Sequence, residues 1–375
     1  MKILHVEAGM TYYGGPQQVA SLMQGLHGQG MQNVLACPKG SAIAEACTAY
    51  ADVHPIAMGG DLDLGLIGRI KKLIEQTRPD LIHLHSRRGA DVLGGIAGRM
   101  SGAPIILSRR VDNPEHPLVV KLKYKLYDRV ITISEGIRQV LLKEGVAPTQ
   151  LRLVHDGVDV QTYRPDRSQL PWLRQEFKLN DDALVVGMVA QFIARKGHQT
   201  LLNAIPAVVA QHPAVQFLLF GQGPDWERIR QQVDASPLLR QHVQLPGFRN
   251  DLHRILPCLD ILAHPAFMEG LGVSLLQAAA CGVPIIGGRA GGIPEVVRHN
   301  CNGLLITPGQ PAEMQQALMQ LLANADQRHR MGLAGREIIE ARFSNAAMVQ
   351  GNAACYRELL GRDLTNPPKQ TKVFP

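Results

Sequence analysis

The feature that most limits how this chain can fold is an alternation of short apolar runs with helical stretches that runs through the chain twice. In the first series KILHVEA, NVLACP, DLIHLHS, APIILS, RVITIS and LRLVHDG read as strands. They are almost continuously apolar, as parallel strands covered on both faces are. Helices are predicted between them over 17–27, 66–76, 90–100 and 135–144. The second series runs ALVVGMVAQ, VQFLLFGQG, VQLPGF, DILAHPA, VPIIGG and GLLITP, with helices over 198–211, 225–235, 273–281 and 312–323. Each series makes an α/β, Rossmann-like doubly wound domain.

Between the series, VDVQTYRPDRSQLPWLRQEF is rich in proline and charge and reads as a linker. The expected division is therefore an N-terminal domain over 1–165 and a C-terminal domain over 166–345. A last helix over 346–362 is expected to pack back on the N-terminal domain, and the polar tail 363–375 to be disordered. A length of 375 residues exceeds what one core usually fills, which agrees with two domains. Two such domains side by side leave a cleft at the carboxyl ends of their strands, where ligands bind.

The six cysteines are scattered without a C-x-x-C pair, so metal clusters and a disulfide framework are not expected and a reducing cytosol fits. The chain opens on a strand that runs into GMTYYGG, leaving no room for a signal peptide's apolar core, and it holds no run of eighteen apolar residues. The expected location is cytoplasmic. The formal charge of +7 is concentrated between residues 65 and 130, where 13 Lys and Arg stand against 6 Asp and Glu. Such a segment is either a solvated face or a surface for anionic lipid head groups or a phosphorylated acceptor. Its only aromatics are Tyr124 and Tyr127, too few for stacking on bases, so nucleic acid is not an expected partner.

The most informative stretch is HPAFMEGLGVSLLQAAACGVPII. A strand ends at Pro265, a glycine-containing loop follows, and an apolar helix begins near Val273. The helix start offers unpaired N–H groups and a positive dipole end to a diphosphate. Gly270 and Gly272 allow close approach of backbone to an anion. Glu269 stands just ahead of the loop and Gln277 about one turn inside the helix. A carboxylate beside a phosphate site makes sense as an acceptor for sugar hydroxyls; the plainer possibility is a helix cap. In VVGMVAQFIARKGHQTLL, Lys196 precedes Gly197 at another helix start, where a cation neutralises phosphate charge as a donor breaks. Arg195 assists it or is only solvated. GQGPDW after a strand, GGRAGGIPEVV with Glu295 in a first helical turn, and Gly14–Gly15 in MTYYGGPQQVA are further strand-to-helix turns.

In this order, these stretches resemble the family 4 retaining glycosyltransferases of the GT-B fold. The resemblance spans the GG loop at 14–15, HDGVD at 155–159, RKG at 195–197, GQGP at 221–224, PGFRNDL at 246–252, EGLGVSLLQ at 269–277, GGIPEVV at 291–297 and NGLLITPG at 302–309. It implies that Glu269 holds donor-sugar hydroxyls as the first acid of an E-x7-E pair, and that Lys196 binds phosphate. The amides of Gly270, Leu271, Gly272 and Val273 would cradle the diphosphate. Arg249 and its neighbours would meet the nucleobase through backbone, with Glu295 near base or ribose and Gly14, Gly15 and Gly221 lining the cleft.

Three positions depart from the family. Gln277 replaces the second acid, and as a neutral amide it is a weaker acceptor for ribose hydroxyls. Gln191 replaces a phosphate-binding arginine, a loss for which Arg195 would compensate. Where many members carry a histidine near the transferred sugar, SRRVDNPE places Arg109 or Arg110, and His85 is then the nearest histidine for the cleft. The resemblance implies transfer with retention from a nucleotide-sugar substrate, without metal or cofactor, to a saccharide or lipid-linked acceptor. A peripheral contact with anionic membrane is expected through the basic segment, tested by neutralising Arg87, Arg88, Lys121, Lys123 and Lys125. A nicotinamide dehydrogenase fits poorly, because GMTYYGGPQQ lacks G-x-G-x-x-G. A nucleotide-sugar 2-epimerase of the same architecture and a non-catalytic homologue stand as rivals to the transferase.

Overall fold

The computed structural model describes residues 1–85 and 89–361. The chain divides into two compact units, Met1–Asp156 with the segment from Asn345 onward, and Gly157–Ser344. In the first unit β1 (Lys2–Val6), β2 (Gln32–Pro38), β3 (Asp52–Ile56), β4 (Leu81–Leu84), β5 (Ile105–Arg109), β6 (Arg129–Thr132) and β7 (Leu151–Leu153) form one sheet in the order β3-β2-β1-β4-β5-β6-β7. In the second, β8 (Val185–Val189), β9 (Gln216–Phe220), β10 (Val243–Gly247), β11 (Ile261–His264), β12 (Ile285–Gly288) and β13 (Gly303–Ile306) take the order β10-β9-β8-β11-β12-β13. Adjacent strands of both sheets pair in parallel. Each sheet is thus doubly wound, and each reverses its winding once, between β1 and β4 and between β8 and β11.

The apolar runs become buried strands for the reason the pattern suggests. Val186, Met188, Phe217, Leu219, Ile261, Ala263 and Ile286 meet the helices His198–Gln211 and Pro311–Ala323 in one core. Each large side chain buried there contributes about 1.5–3 kcal/mol. Strand β3 leaves no apolar run in the sequence because DVHPI carries Asp, His and Pro. It lies at the sheet edge, where Pro55 removes no needed ladder bond. The helix Ala325–Arg342 likewise gives no clear signal: Met331, Gly332, Gly335 and Ile339 are its only buried residues, too thin a stripe for a helical period to show.

The linker stretch contains a helix, Leu170–Glu176, and belongs to the second unit from its start. The N-terminal unit ends at Asp156 rather than 165 because residues 157–163 are tied to the far end of the second unit. Val158 N donates to Phe343 O at 2.9 Å, and Arg336 reaches the carbonyls of Val160 and Tyr163 at 2.9 and 2.7 Å. The helix Asn345–Leu359 lies in the first unit, where Met348, Val349, Ala353 and Tyr356 join Ile3, Leu22 and Leu26 in one apolar cluster. The expected tail, 363–375, lies outside the described residues, as do Arg87 and Arg88. No described helix is long and apolar enough to cross a membrane.

Candidate active site

In the second unit the loops after β8, β11 and β12 meet at the carboxyl ends of the strands, beside the reversal point. Backbone bonds lace them together: Phe267 N donates to Arg195 O at 2.8 Å and Gly292 N to Glu269 O at 2.9 Å. Gly197 is required where it stands. Its φ is 77°, and a Cβ there would lie 2.1 Å from Pro265 O. A residue with a side chain would push the Lys196 loop away from the loop that carries Glu269.

These constraints bring two sequence candidates into direct contact. Lys196 Nζ stands 2.5 Å from Glu269 Oε2, and His264 Nε2 reaches the same oxygen at 2.8 Å. The Lys196 and Glu269 side chains are 11% and 13% exposed, so the pair is shielded yet reachable. Burial raises the Glu269 carboxyl, but the His264 hydrogen bond and the Lys196 charge outweigh it and hold the group at about 2. Glu269 is therefore a carboxylate at neutral pH. Its Oε1 has no hydrogen-bond partner among the described residues and remains an acceptor for a ligand hydroxyl. Sequence reasoning misses His264, although its place five residues before Glu269 is visible in HPAFMEG.

The helix Val273–Ala280 starts on Gly272, with no side-chain cap and no acidic residue in its first turn. Its leading amides are open to an anion. Gly270 is half-buried, Leu271 is buried and Val273 is half-buried. Gln277 lies in the same helix, 7% exposed. Arg195 is half-buried and makes no side-chain ion pair among the described residues, whereas Gln191 is exposed. Arg249 commits its guanidinium to Asp251, at 2.8 and 2.7 Å, and to Glu176 at 2.8 Å, so only its backbone is left to meet a base. Gly221 N is bonded to Gly247 O at 2.8 Å, which ties the ends of β9 and β10. Glu295 is half-buried in the short helix Ile293–Val296.

In the first unit Gly14 has φ 63° and heads the helix Gly15–Gly28, which has no acidic residue in its first turn. Gly15 approaches Arg110, whose Cδ would lie 3.9 Å from an added Cβ. The two arginines after β5 are separated by the fold. Arg109 is 3% exposed and turns inward, pairing with Glu115 at 3.2 Å and donating to Asn113 O at 2.6 Å. Lys123 joins that interior network through Asp91 at 2.6 Å and Glu115 at 2.9 Å. It is 6% exposed and so drops out of the expected basic face. Arg110 instead stands beside His85, at 3.4 Å from Nδ1 and 3.2 Å from the carbonyl, and pairs with Asp156 at 3.3 Å.

His85 is not isolated, for the interior rings of His5 and His83 surround it. The three bring ligand atoms within 4.8 Å of one another, a spacing compatible with a metal. Their bonding does not fit one, because each ring nitrogen already meets a protein atom or another ring. His83 reaches Tyr356 OH at 2.6 Å and Ser108 Oγ at 2.8 Å, while His5 reaches His85 at 2.9 Å and Asn33 at 3.2 Å.

Comparison with known proteins gives this geometry a context. Residues 172–338 match the model described as glycosyl transferases group 1, and residues 13–162 the model for glycosyltransferase family 4. A GDP-mannose-dependent alpha-(1-6)-phosphatidylinositol monomannoside mannosyltransferase of Mycolicibacterium smegmatis is 31% identical over 286 residues, covering 72% of this chain and 74% of that one. A protein of the same description from Mycobacterium tuberculosis is 31% identical over 225 residues, and the match spans 58% of each chain. Among solved structures, Anabaena HepE in complex with UDP aligns with a TM-score of 0.84 at 21% identity, covering 96% of this chain and 100% of that one. A glycosyltransferase of Rickettsia africae aligns with a TM-score of 0.85 at 18% identity, over 96% and 99% of the two chains. Both sheets have the GT-B topology, and by these matches the chain belongs to the group 1 glycosyl transferases of family 4.

Proposed function

We propose that the protein is a retaining hexosyltransferase that takes its sugar from a UDP- or GDP-sugar. The observation that carries this is the ionised Glu269, held by Lys196 and His264 beside an uncapped helix start. In this reading Glu269 Oε1 accepts sugar hydroxyls, and Lys196 turns to the diphosphate when the donor arrives. Lys196 and the amides of Gly270 to Val273 then stabilise the leaving group without a metal ion. The acceptor hydroxyl attacks from the face the diphosphate leaves, and its proton passes to that phosphate. The chemistry calls for no protein nucleophile. Gln277 takes the place of a ribose-binding acid as a neutral acceptor.

Incubation with a panel of UDP-, GDP- and ADP-sugars, with and without saccharide acceptors, tests the reading. Acceptor-dependent nucleotide release with retained anomeric configuration is expected. Release without any acceptor would indicate the 2-epimerase, and binding without release the non-catalytic homologue.

The acceptor we propose is a saccharide or lipid-linked saccharide of envelope polysaccharide or lipopolysaccharide assembly, met by a cytoplasmic protein at the inner membrane face. Two observations support this. The mycobacterial relatives are named for phosphatidylinositol-linked acceptors. The helix Pro117–Lys123 also exposes Leu118, Val119 and Leu122 (67%, 47% and 69%) beside exposed Lys121, with Lys125 just beyond. Apolar side chains flanked by cations suit an anionic bilayer surface. Cosedimentation with anionic vesicles should fall when Leu122→Ser is combined with Lys121→Glu and Lys125→Glu; unchanged cosedimentation would discard the membrane contact.

A further inference from the structure

The interior of the first unit holds a run of hydrogen bonds whose direction can be worked out atom by atom. Asn33 Nδ2 donates to two backbone carbonyls, Met23 O at 2.9 Å and Tyr50 O at 3.0 Å. That orientation turns Asn33 Oδ1, which can only accept, toward His5 Nε2 at 3.2 Å. His5 must therefore carry its hydrogen on Nε2. A neutral ring has only one, so His5 Nδ1 is bare and accepts from His85 Nε2 at 2.9 Å, with the two rings within 14° of parallel. His85 in turn has a bare Nδ1, facing Arg110 Nη1 at 3.4 Å. The neutral state fits the surroundings, since both rings are fully buried and burial pushes them below the usual imidazole range.

Arg110 is thus held at two corners, by Asp156 on Nε and by His85 on Nη1. Its Nη2 has no partner among the described residues, and the side chain keeps 13% exposure at the carboxyl end of β5, close to the β1–β4 reversal. We infer that Asn33, His5 and His85 form a positioning chain that fixes the guanidinium of Arg110, so that its Nη2 edge holds a phosphate oxygen of the substrate. A guanidinium edge suits phosphate oxygens, and a fixed one loses less freedom on binding. The inference rests on the glycosyltransferase reading for the substrate, but the chain itself does not. Arg110 is the contact, and the other three act through it.

Three measurements on the full-length protein decide the inference. Ring nitrogen spectra of histidine-labelled protein at neutral pH should show His5 and His85 both neutral with hydrogen on Nε2; a hydrogen on Nδ1 of either ring overturns the chain. Inorganic phosphate, UDP and glycerol phosphate should then be titrated while the Arg110 side-chain Nε signal is followed. A shift with UDP but not glycerol phosphate assigns the phosphate to the donor, the reverse assigns it to the acceptor, and no shift with any of the three overturns the contact. Finally, Arg110→Ala should lower kcat/KM for nucleotide release about 10- to 100-fold, the range for a lost bond to a charged group. Asn33→Ala should lower it about 3- to 10-fold, and the double variant should match Arg110→Ala alone. Additive losses would make Asn33 merely structural and overturn its role. A wild type inert toward every donor would sink the transferase reading, and the first two measurements would still decide the chain.

Discussion

The two units wind their sheets in the same order yet build opposite polar centres at the reversal point. The second unit places charge there, with Lys196, Glu269 and His264 sharing one carboxylate oxygen. The first unit places buried neutral rings there, with Arg110 at the rim and a buried Asp156 paired to it. A doubly wound sheet therefore fixes where a site lies and leaves its electrostatics to a few side chains at the strand ends. Charge would suit the diphosphate role proposed for the second unit, and neutral rings the positioning role proposed for the first.

The sharpest way to break this contrast is to discharge the second centre. Lys196→Ala should lower nucleotide release about 10²–10³-fold, the range for one lost electrostatic contact in a transition state. Circular dichroism should show the fold retained, and near-normal turnover would remove Lys196 from the mechanism.

Acid should separate the units next. His5 is pushed down to about 3 by burial, and His83 and His85 lie well below their ordinary value. Below about pH 6.5 the unfolded chain takes up protons that these rings refuse, so stability falls as pH drops, by about 1.4 kcal/mol per pH unit for each ring. In the second unit His198, pushed down to about 3 by burial and by the nearby His264, Lys196 and Arg228, behaves the same way. Glu269 works over a lower window. With its native value near 2, its stabilisation is present above the unfolded value and is lost only as pH falls from about 4.5 toward 2. Hydrogen exchange between pH 7 and 5, corrected for intrinsic rates, should deprotect β1 and β4 before β8 and β11. Equal loss in both units would contradict the contrast.

A smaller effect compares two glycines at helix starts. Gly197→Ala forces a Cβ against Pro265 O and should cost about 2–4 kcal/mol, with a matching loss of donor binding. Gly14→Ala meets nothing within 4 Å of its Cβ, and at φ 63° and ψ −120° it should cost about 1–3 kcal/mol, the backbone penalty alone. Thermal melts of the two variants check the ranking. The smallest effect belongs to Gln277→Ala, expected to raise the donor KM about 3- to 10-fold with kcat unchanged, as loss of a neutral hydrogen bond would.

Much of this was legible in the sequence because it is local. The apolar strand runs, the glycine turns after them and the pairing of Glu269 with a helix start all lie within short stretches of chain. Edge strand β3 and the thinly buried helix Ala325–Arg342 were not legible, since their stability comes from neighbours rather than from their own pattern. Side-chain assignment at the strand ends was the harder problem. SRRVD names two arginines, and only packing sends Arg109 inward to Glu115 and leaves Arg110 at the rim.

The sequence by itself determined the twofold doubly wound architecture and marked Lys196 and Glu269 as separate candidates on two glycine-bearing loops. The tertiary structure decided which groups share an oxygen, which histidines become neutral and which basic residues face solvent. Periodicity and turn chemistry act between near neighbours in the chain. Ionisation and hydrogen-bond direction depend on burial and on partners as distant in sequence as His5 and His85, and those exist only once the strands are side by side.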